Sequence, residues 1–291
     1  MNESKNKLLE PKQDLQFVKC ALCGRDDYEV LSGYCRYDVK ARNVVCKHCG
    51  LVYINPRKSK GQISQYYQQQ YRRQYKIIDL ESKDYRRANI ALSGSISRLL
   101  LKPNCAVMEI GCANGILLEE MKKAKPDAEF YGIEPDLKLS SQARDRGINV
   151  FCGILEDYPE TEKKFDLIIL MHVLEHCVDP VIAFSKVRRM LKDDGFVFFE
   201  VPDILHPYGD LEKNFFQEAH LFTFSANTLH ILCKLTGLVW LVEHIGSTLV
   251  YILRKGKIFK PQDIDFNKEG ENYVRLRTFL RKYKAKFNCK W

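Results

Sequence analysis

Two pairs of cysteines, Cys20-Ala-Leu-Cys23 and Cys46-Lys-His-Cys49, are the residues whose spacing most plainly fits a chemical role. A CxxC knuckle turns both thiolates toward one ion, and two knuckles supply the tetrahedral four-sulfur shell that Zn²⁺ favours. Gly24 and Gly50 follow the second cysteine of each pair, where a tight turn benefits from a residue without Cβ. A structural zinc ion held by Cys20, Cys23, Cys46 and Cys49 is expected. His48 could substitute as a ligand, a redox pair would need only one CxxC, and Cys35 reads as a bystander.

The second chemical signal is the run CAVMEIGCANG, an apolar strand followed by Glu109-Ile-Gly111-x-x-x-Gly115 and a helical pattern. Glycines at a strand end let a cofactor approach the backbone, and the following helix offers free N–H groups. Ala113 and Ile116 break the GxGxxG fingerprint and argue against a pyrophosphate at this loop. Glu134 closes the next strand in FYGIEPD, 23 residues after Gly111, where a carboxylate can accept both hydroxyls of a ribose.

These residues resemble the class I S-adenosylmethionine (SAM) methyltransferases. The resemblance rests on ExGxxxG, the acid closing the second strand, FDLIILMHVLEHCVDP and LKDDGFVFFEVPD, and it covers about residues 104–254. It implies that Gly111 and Gly115 pass beside the methionine part of SAM, that Glu134 binds the ribose and that Glu109 orients the amino acid end. Many relatives carry an acid directly after the glycine at position 153. Ile154 stands there in this chain, which shifts adenine to the backbone around Leu155 or to Glu156. CKHCGLVYINPR followed by YYQQQY, with HLFTFS near residue 220, is similar to the zinc-binding module of bacterial methyltransferases that modify nucleotide-linked sugars or glycans.

Methyl transfer from a sulfonium asks the protein to position the acceptor and remove a proton, a task suited to histidine. Three are candidates. His172 and His176 follow the strand FDLIILM at helical i, i+4 spacing, His172 being the one expected to touch the cofactor as well, and His220 lies in the long loop 202–224. His206 reads as a loop residue, and His230 and His244 as element surface or core. In sugar C-methyltransferases resembling this chain, a glutamate directly precedes the loop histidine; here Ala219 stands there, with Glu218 one place earlier, which favours an oxygen acceptor over carbon. Tyr66, Tyr67, Tyr71 and Tyr75 are read either as a lid over the acceptor or as a packing stripe.

The elements that must position these groups alternate in period. Strands are expected at Ala106–Ile110, Glu129–Glu134, Asn149–Cys152, Asp166–Met171, Phe196–Val201, Leu238–His244 and Thr248–Leu253, with helices over Asn114–Lys123, Asp136–Arg146, Pro180–Leu191 and Ala226–Leu235. This predicts an α/β, doubly wound, seven-stranded, mostly parallel sheet with a small N-terminal zinc-binding module. The divisions are 17–56 for the module, 57–102 for a helical linker or lid, 103–256 for the SAM-binding domain and 257–291 for a basic tail. In the tail, Leu276, Phe279, Leu280, Tyr283 and Phe287 fall at helical spacing. They suit a helix packed on its own domain, or attachment to an anionic membrane or a partner.

Composition excludes little else. Of 291 residues, 45% are hydrophobic and 29% charged, which rules out collagen-like and wholly disordered chains. The net charge of +9 belongs almost wholly to the tail after residue 253, so nucleic acid is not the expected partner. No apolar run approaches the ~20 residues of a membrane span, and MNESKNKLLEPKQ lacks an export-signal core, so a cytoplasmic location is expected. The expected activity is SAM-dependent O-methylation of a nucleotide-linked sugar, glycan or glycolipid. The rival readings are an RNA or protein methyltransferase and a non-catalytic binding module.

Overall fold

In the computed structural model, residues 15–69, 71, 80, 82–100, 102–266 and 271–287 are described. The N-terminal part forms β1 (Tyr28–Cys35), β2 (Val39–Cys46) and β3 (Val52–Ile54), followed by α1 (Lys60–Gln69) and α2 (Lys83–Leu100). An alternating series then runs β4 (Ala106–Ile110), α3 (Ile116–Ala124), β5 (Glu129–Glu134), α4 (Leu137–Asp145), β6 (Asn149–Cys152), β7 (Phe165–Met171), α5 (Pro180–Met190) and β8 (Leu191–Pro202). After a long loop come β9 (Phe222–Thr223), α6 (Ala226–Thr236), β10 (Leu238–Ile245), β11 (Thr248–Lys255) and the terminal α7 (Glu271–Phe287).

Seven strands make one sheet in the order β10-β11-β8-β7-β4-β5-β6. The five strands from β8 to β6 are parallel, and β11 and β10 add antiparallel. Parallel strands are covered by helices on both faces, so β7 (FDLIILM) can be an almost unbroken apolar run, buried from Phe165 to Leu170. The chain leaves β4 toward β5 and β6, then returns on the other side through β7 and β8. The carboxyl ends of β4 and β7 therefore flank the crevice where such folds bind ligands.

Local signals set the helix starts. Asp179 accepts from the N–H groups of Val181 and Ile182, with Pro180 in the first turn of α5. Ser225 and Thr228 form a reciprocal cap on α6. The elements expected from periodicity agree with those observed to within two residues, except that β8 begins at Leu191 rather than Phe196: Leu191 pairs with Phe165 across a register irregularity that the apolar pattern does not mark.

The second sheet has the order β1-β2-β3-β9, so its fourth strand comes from the loop after β8 rather than from the N-terminal segment. Tyr53 pairs with Phe222 and Val52 with Thr223. The tail packs on this unit as well. Leu276 and Leu280 are buried in one cluster with Leu31, Val45, Val52, Phe215 and Phe216, each leucine contributing roughly 1.5–3 kcal/mol. Tyr273 Oη donates to Glu29 at 2.5 Å, and Arg277 pairs with the same carboxylate. The apolar face of α7 is thus engaged within the chain; the Phe287 side chain lies outside those described. Among the described residues, no helix is long and apolar enough to cross a membrane.

Candidate active site

The sulfur atoms of Cys20, Cys23, Cys46 and Cys49 all lie within 4.8 Å of one another. Cys20 and Cys49 are 3.4 Å apart, and Cys23 and Cys46 are 3.5 Å apart. A tetrahedral Zn–S₄ centre with ~2.3 Å bonds needs sulfurs about 3.8 Å apart, so the donor set fits that ion. The knuckles are closed by backbone bonds from Gly24 N–H to the Cys20 carbonyl (2.8 Å) and from Gly50 N–H to the Cys46 carbonyl (2.9 Å). Gly50 has φ +79°, and a Cβ there would meet the Asn272 backbone at 3.1 Å, so the second knuckle also seats the tail. His48 stacks near Phe266, with ring centroids 5.4 Å apart, and takes no part in the cysteine cluster. Cys35 is likewise separate, beside Asn43.

A cleft of about 390 Å³ opens at the carboxyl ends of β4, β5 and β7. Glu109, Gly111, Glu134, Leu155, His172 and His176 line it, which brings together most of the residues selected from sequence. Gly111 and Gly115 both have φ +77°; a Cβ would fall 2.6 Å from Val173 Cγ2 at the first and 2.8 Å from Ala143 Cβ at the second. Only glycine fits this turn. Gly115 itself does not line the cleft; it acts through the turn.

Glu134 is held by backbone donors: Ala113 N–H to one oxygen (2.9 Å) and Asp136 N–H to the other (3.0 Å). Glu109 is 7% exposed, and its Oε2 has no hydrogen-bond partner. Burial, reinforced by the Glu134 charge, pushes its carboxyl up to about 8. A buried orphaned oxygen beside an acidic strand end suits a cationic amine, so these residues fit SAM. Glu156 lines the cleft too, but one of its oxygens accepts from Val178 N–H at 2.7 Å. Ile154 and Leu155 supply apolar walls.

Three histidines meet at this cleft with unequal chemistry: His172 and His176 line it, and His220 packs against His176. His172 sits at φ +52° directly after β7, with Nδ1 3.5 Å from Glu175 and Nε2 3.6 Å from Glu200. Burial opposes its charge, but the two carboxylates outweigh that and raise it to about 10. It is therefore a cation held between anions, unsuited to act as a base. His220 is the opposite case. Burial, helped by neighbouring His176, pushes it down to about 3, so its ring stays neutral.

His176 stands between them. Its ring lies edge-on to His220, with centroids 4.7 Å apart, and its Nδ1 is 2.9 Å from the Ala219 carbonyl and 2.7 Å from Tyr67 Oη. A carbonyl can only accept, so Nδ1 carries a proton. Tyr67 Oη also donates to the Ala219 carbonyl, at 3.1 Å. Beneath the ring is Glu175, 1% exposed, whose carboxyl stays ionised: burial opposes the charge, but His172, His176 and His220 together lower it to about 2. Ligating atoms of Glu175, His176 and His220 all lie within 4.8 Å of one another.

Sequence reasoning missed Glu175 and the part played by Tyr67. The HVLEH spacing, which puts Glu175 three residues after His172, was the available signal for the first. The second depends on α1 packing over the loop, which no motif announces. Tyr66 and Tyr71 lie against Tyr67, with ring centroids 5.6 and 5.1 Å away, so the stripe both packs and lines the cleft. Tyr75 lies outside the described residues. His206 is an exposed loop residue bonded to Asp203, and His230 stacks on Trp240.

Comparison with known proteins agrees with this geometry. A family model described as a methyltransferase domain matches residues 84–244. Ubiquinone biosynthesis O-methyltransferase of Actinobacillus pleuropneumoniae is 34% identical over 104 residues, 32% of this chain and 44% of that protein. Malonyl-[acyl-carrier protein] O-methyltransferase of Herminiimonas arsenicoxydans is 24% identical over 166 residues, 52% of this chain and 63% of that one. The chain therefore spans less than two thirds of the length of these relatives. A chain in a methyltransferase activator–methyltransferase complex from Haloferax volcanii shares the fold, with a TM-score of 0.51 at 14% identity over 61% of this chain and 92% of that chain. With a family match over more than half its length, laid on a cleft of this construction, the chain belongs to the methyltransferase-domain family.

Proposed function

We propose that the protein is a SAM-dependent O-methyltransferase acting on a hydroxyl of a nucleotide-linked sugar, glycan or glycolipid, with a structural zinc ion in its four-cysteine site. The observation that carries this reading is His176, whose Nδ1 is committed to the Ala219 carbonyl at the edge of the cleft. When bound, SAM supplies an electrophilic sulfonium methyl. Glu109 would hold its ammonium, Glu134 its ribose hydroxyls, and Ile154 and Leu155 an apolar face for adenine.

The residues of the chain then have one proton to manage. An acceptor hydroxyl would lose its proton to the His176 imidazole as its oxygen takes the methyl group and the methyl–sulfur bond breaks, so no prior ionisation of the alcohol is needed. The buried Glu175 carboxylate stabilises the imidazolium that results, and the Ala219 carbonyl and Tyr67 hold the ring in place. His220, kept neutral, walls the pocket without competing for that proton. His172 ties the end of β7 to β8 through Glu200. The oxygen chemistry is also that named for the O-methyltransferase relatives.

The test is methyl transfer from labelled SAM to a panel of nucleotide sugars, lipid-linked glycans, transfer RNA and protein. Label in a sugar O-methyl ether supports the reading, whereas label only in RNA or protein overturns it.

A further inference from the structure

A second cavity, of about 220 Å³, lies between the small sheet, α1 and the loop that carries His220. It shares one wall with the cofactor cleft: Tyr67 lines both. Ala219, whose carbonyl fixes His176, also lines the second cavity. Its remaining polar wall is strongly basic, with Lys40, Arg42, Arg57 and Lys58 against a single acid, Glu218.

Two of the cations are committed. Lys58 pairs with Glu218 at 2.5 Å, and Arg42 Nε donates to the Asn55 carbonyl at 2.6 Å. The other two leave an excess of donors. Arg57 holds its guanidinium 5.1 Å from the centroid of Phe222, and its Nη1 is buried with no hydrogen-bond partner. Asn55, between the lining residues Ile54 and Pro56, accepts from Val18 N–H through Oδ1, which leaves its Nδ2 buried and unpartnered. Lys40 is exposed at the rim. Buried donors without acceptors are costly, and an oxygen-rich anion would relieve them.

We infer that this basic cavity is the subsite for a phosphate or diphosphate group of the acceptor, placed so that the acceptor lies across Tyr67 with its reacting hydroxyl beside His176. This deepens the proposed function and rests on it: a phosphate-bearing acceptor is one that arrives activated, so the reaction that consumes the methylated product is transfer of the sugar or glycan from its phosphate. Guanidinium and ammonium groups on a partly buried wall recognise phosphate oxygens whatever carries them. The shared chemistry is therefore a nucleotide diphosphate or a lipid diphosphate.

The experiment uses the zinc-loaded full chain and titrates inorganic pyrophosphate, UDP and farnesyl diphosphate by calorimetry, with SAM titrated in parallel. Pyrophosphate is expected to bind, and Lys40→Glu and Arg57→Gln are each expected to weaken it by about ten-fold or more while SAM affinity is unchanged. Lys40 is exposed, so its variant keeps the test valid if Arg57→Gln does not fold. Tighter binding of UDP than of pyrophosphate assigns the nucleotide source, and tighter binding of farnesyl diphosphate assigns the lipid source. Absence of binding by all three, or equal binding by both variants and the wild type, overturns the inference. If SAM binds in those same samples, only this subsite has failed; if SAM does not bind, the functional reading beneath it has failed too.

Discussion

His176 Nδ1 lies 2.9 Å from the Ala219 carbonyl, so the segment after β7 and the loop after β8 are joined at the ring that would take the proton. One backbone oxygen thereby sets the tautomer of a side chain 43 residues away. His176→Ala is expected to lower turnover by ~10²–10⁴ with SAM affinity nearly intact. Tyr67→Phe should cost only about five-fold, since the carbonyl still holds the ring after one hydrogen bond is lost. Steady-state kinetics beside a SAM titration separates the two.

The pH dependence differs between the histidines. His220, pushed down to about 3, is neutral through the physiological range, so it contributes no limb to the rate profile between about pH 5 and 8. A rise of rate with pH, as the sequence alone suggests for an imidazole base, cannot therefore come from this residue. The profile of His220→Gln should keep the wild-type shape, whatever its height. A profile that loses a limb in this variant would contradict the assignment.

His172 makes a stability prediction. Its folded value of about 10 stands above the ordinary 6.5, so the stabilisation from its two carboxylates is fully present below about pH 6.5 and is lost as pH rises through about 10. The melting temperature of the wild type should fall over that window more steeply than that of His172→Gln. Parallel curves would mean that the ring is not held as a cation.

Zinc removal should reach the active site. β3 begins three residues after Cys49 and pairs with β9, two residues beyond His220. Chelation, or Cys46→Ser, should release the small sheet and with it the loop holding Ala219 and His220, because small metal modules have little core of their own. Turnover should collapse while SAM still binds to the parallel sheet. Retained turnover in metal-free protein, confirmed by elemental analysis, would contradict this coupling.

Much of this arrangement was legible in the chain because it is local. ExGxxxG places Glu109, Gly111 and Gly115 within one strand–turn–helix, and the φ of +77° at both glycines is a demand that the sequence states directly. Strands such as Ala106–Ile110 and Glu129–Glu134 announce themselves by short apolar runs with an acid at or next to the end. What was not legible is long-range. Nothing in HLFTFS says that Phe222 and Thr223 complete the sheet begun at residue 28, or that Tyr67 and Ala219 share a hydrogen-bonded ring with His176. The charge states also needed the fold: sequence alone does not separate His172, held as a cation between Glu175 and Glu200, from His220, kept neutral by burial.

The central claim, that this cleft binds SAM through two acids with separate tasks, is tested most directly by calorimetric titration of SAM into the wild type, Glu134→Ala and Glu109→Gln at neutral pH in buffers of different ionisation enthalpy. The wild type should bind one equivalent. Glu134→Ala should weaken binding by roughly 1.5–3 kcal/mol, as for losing hydrogen bonds to a charged group. Binding should also release a proton, because Glu109, raised to about 8, must ionise to meet the incoming ammonium. Glu109→Gln should abolish that release. No binding at about millimolar SAM, where even ~4 kcal/mol of affinity registers, would contradict the account, as would unchanged affinity in Glu134→Ala.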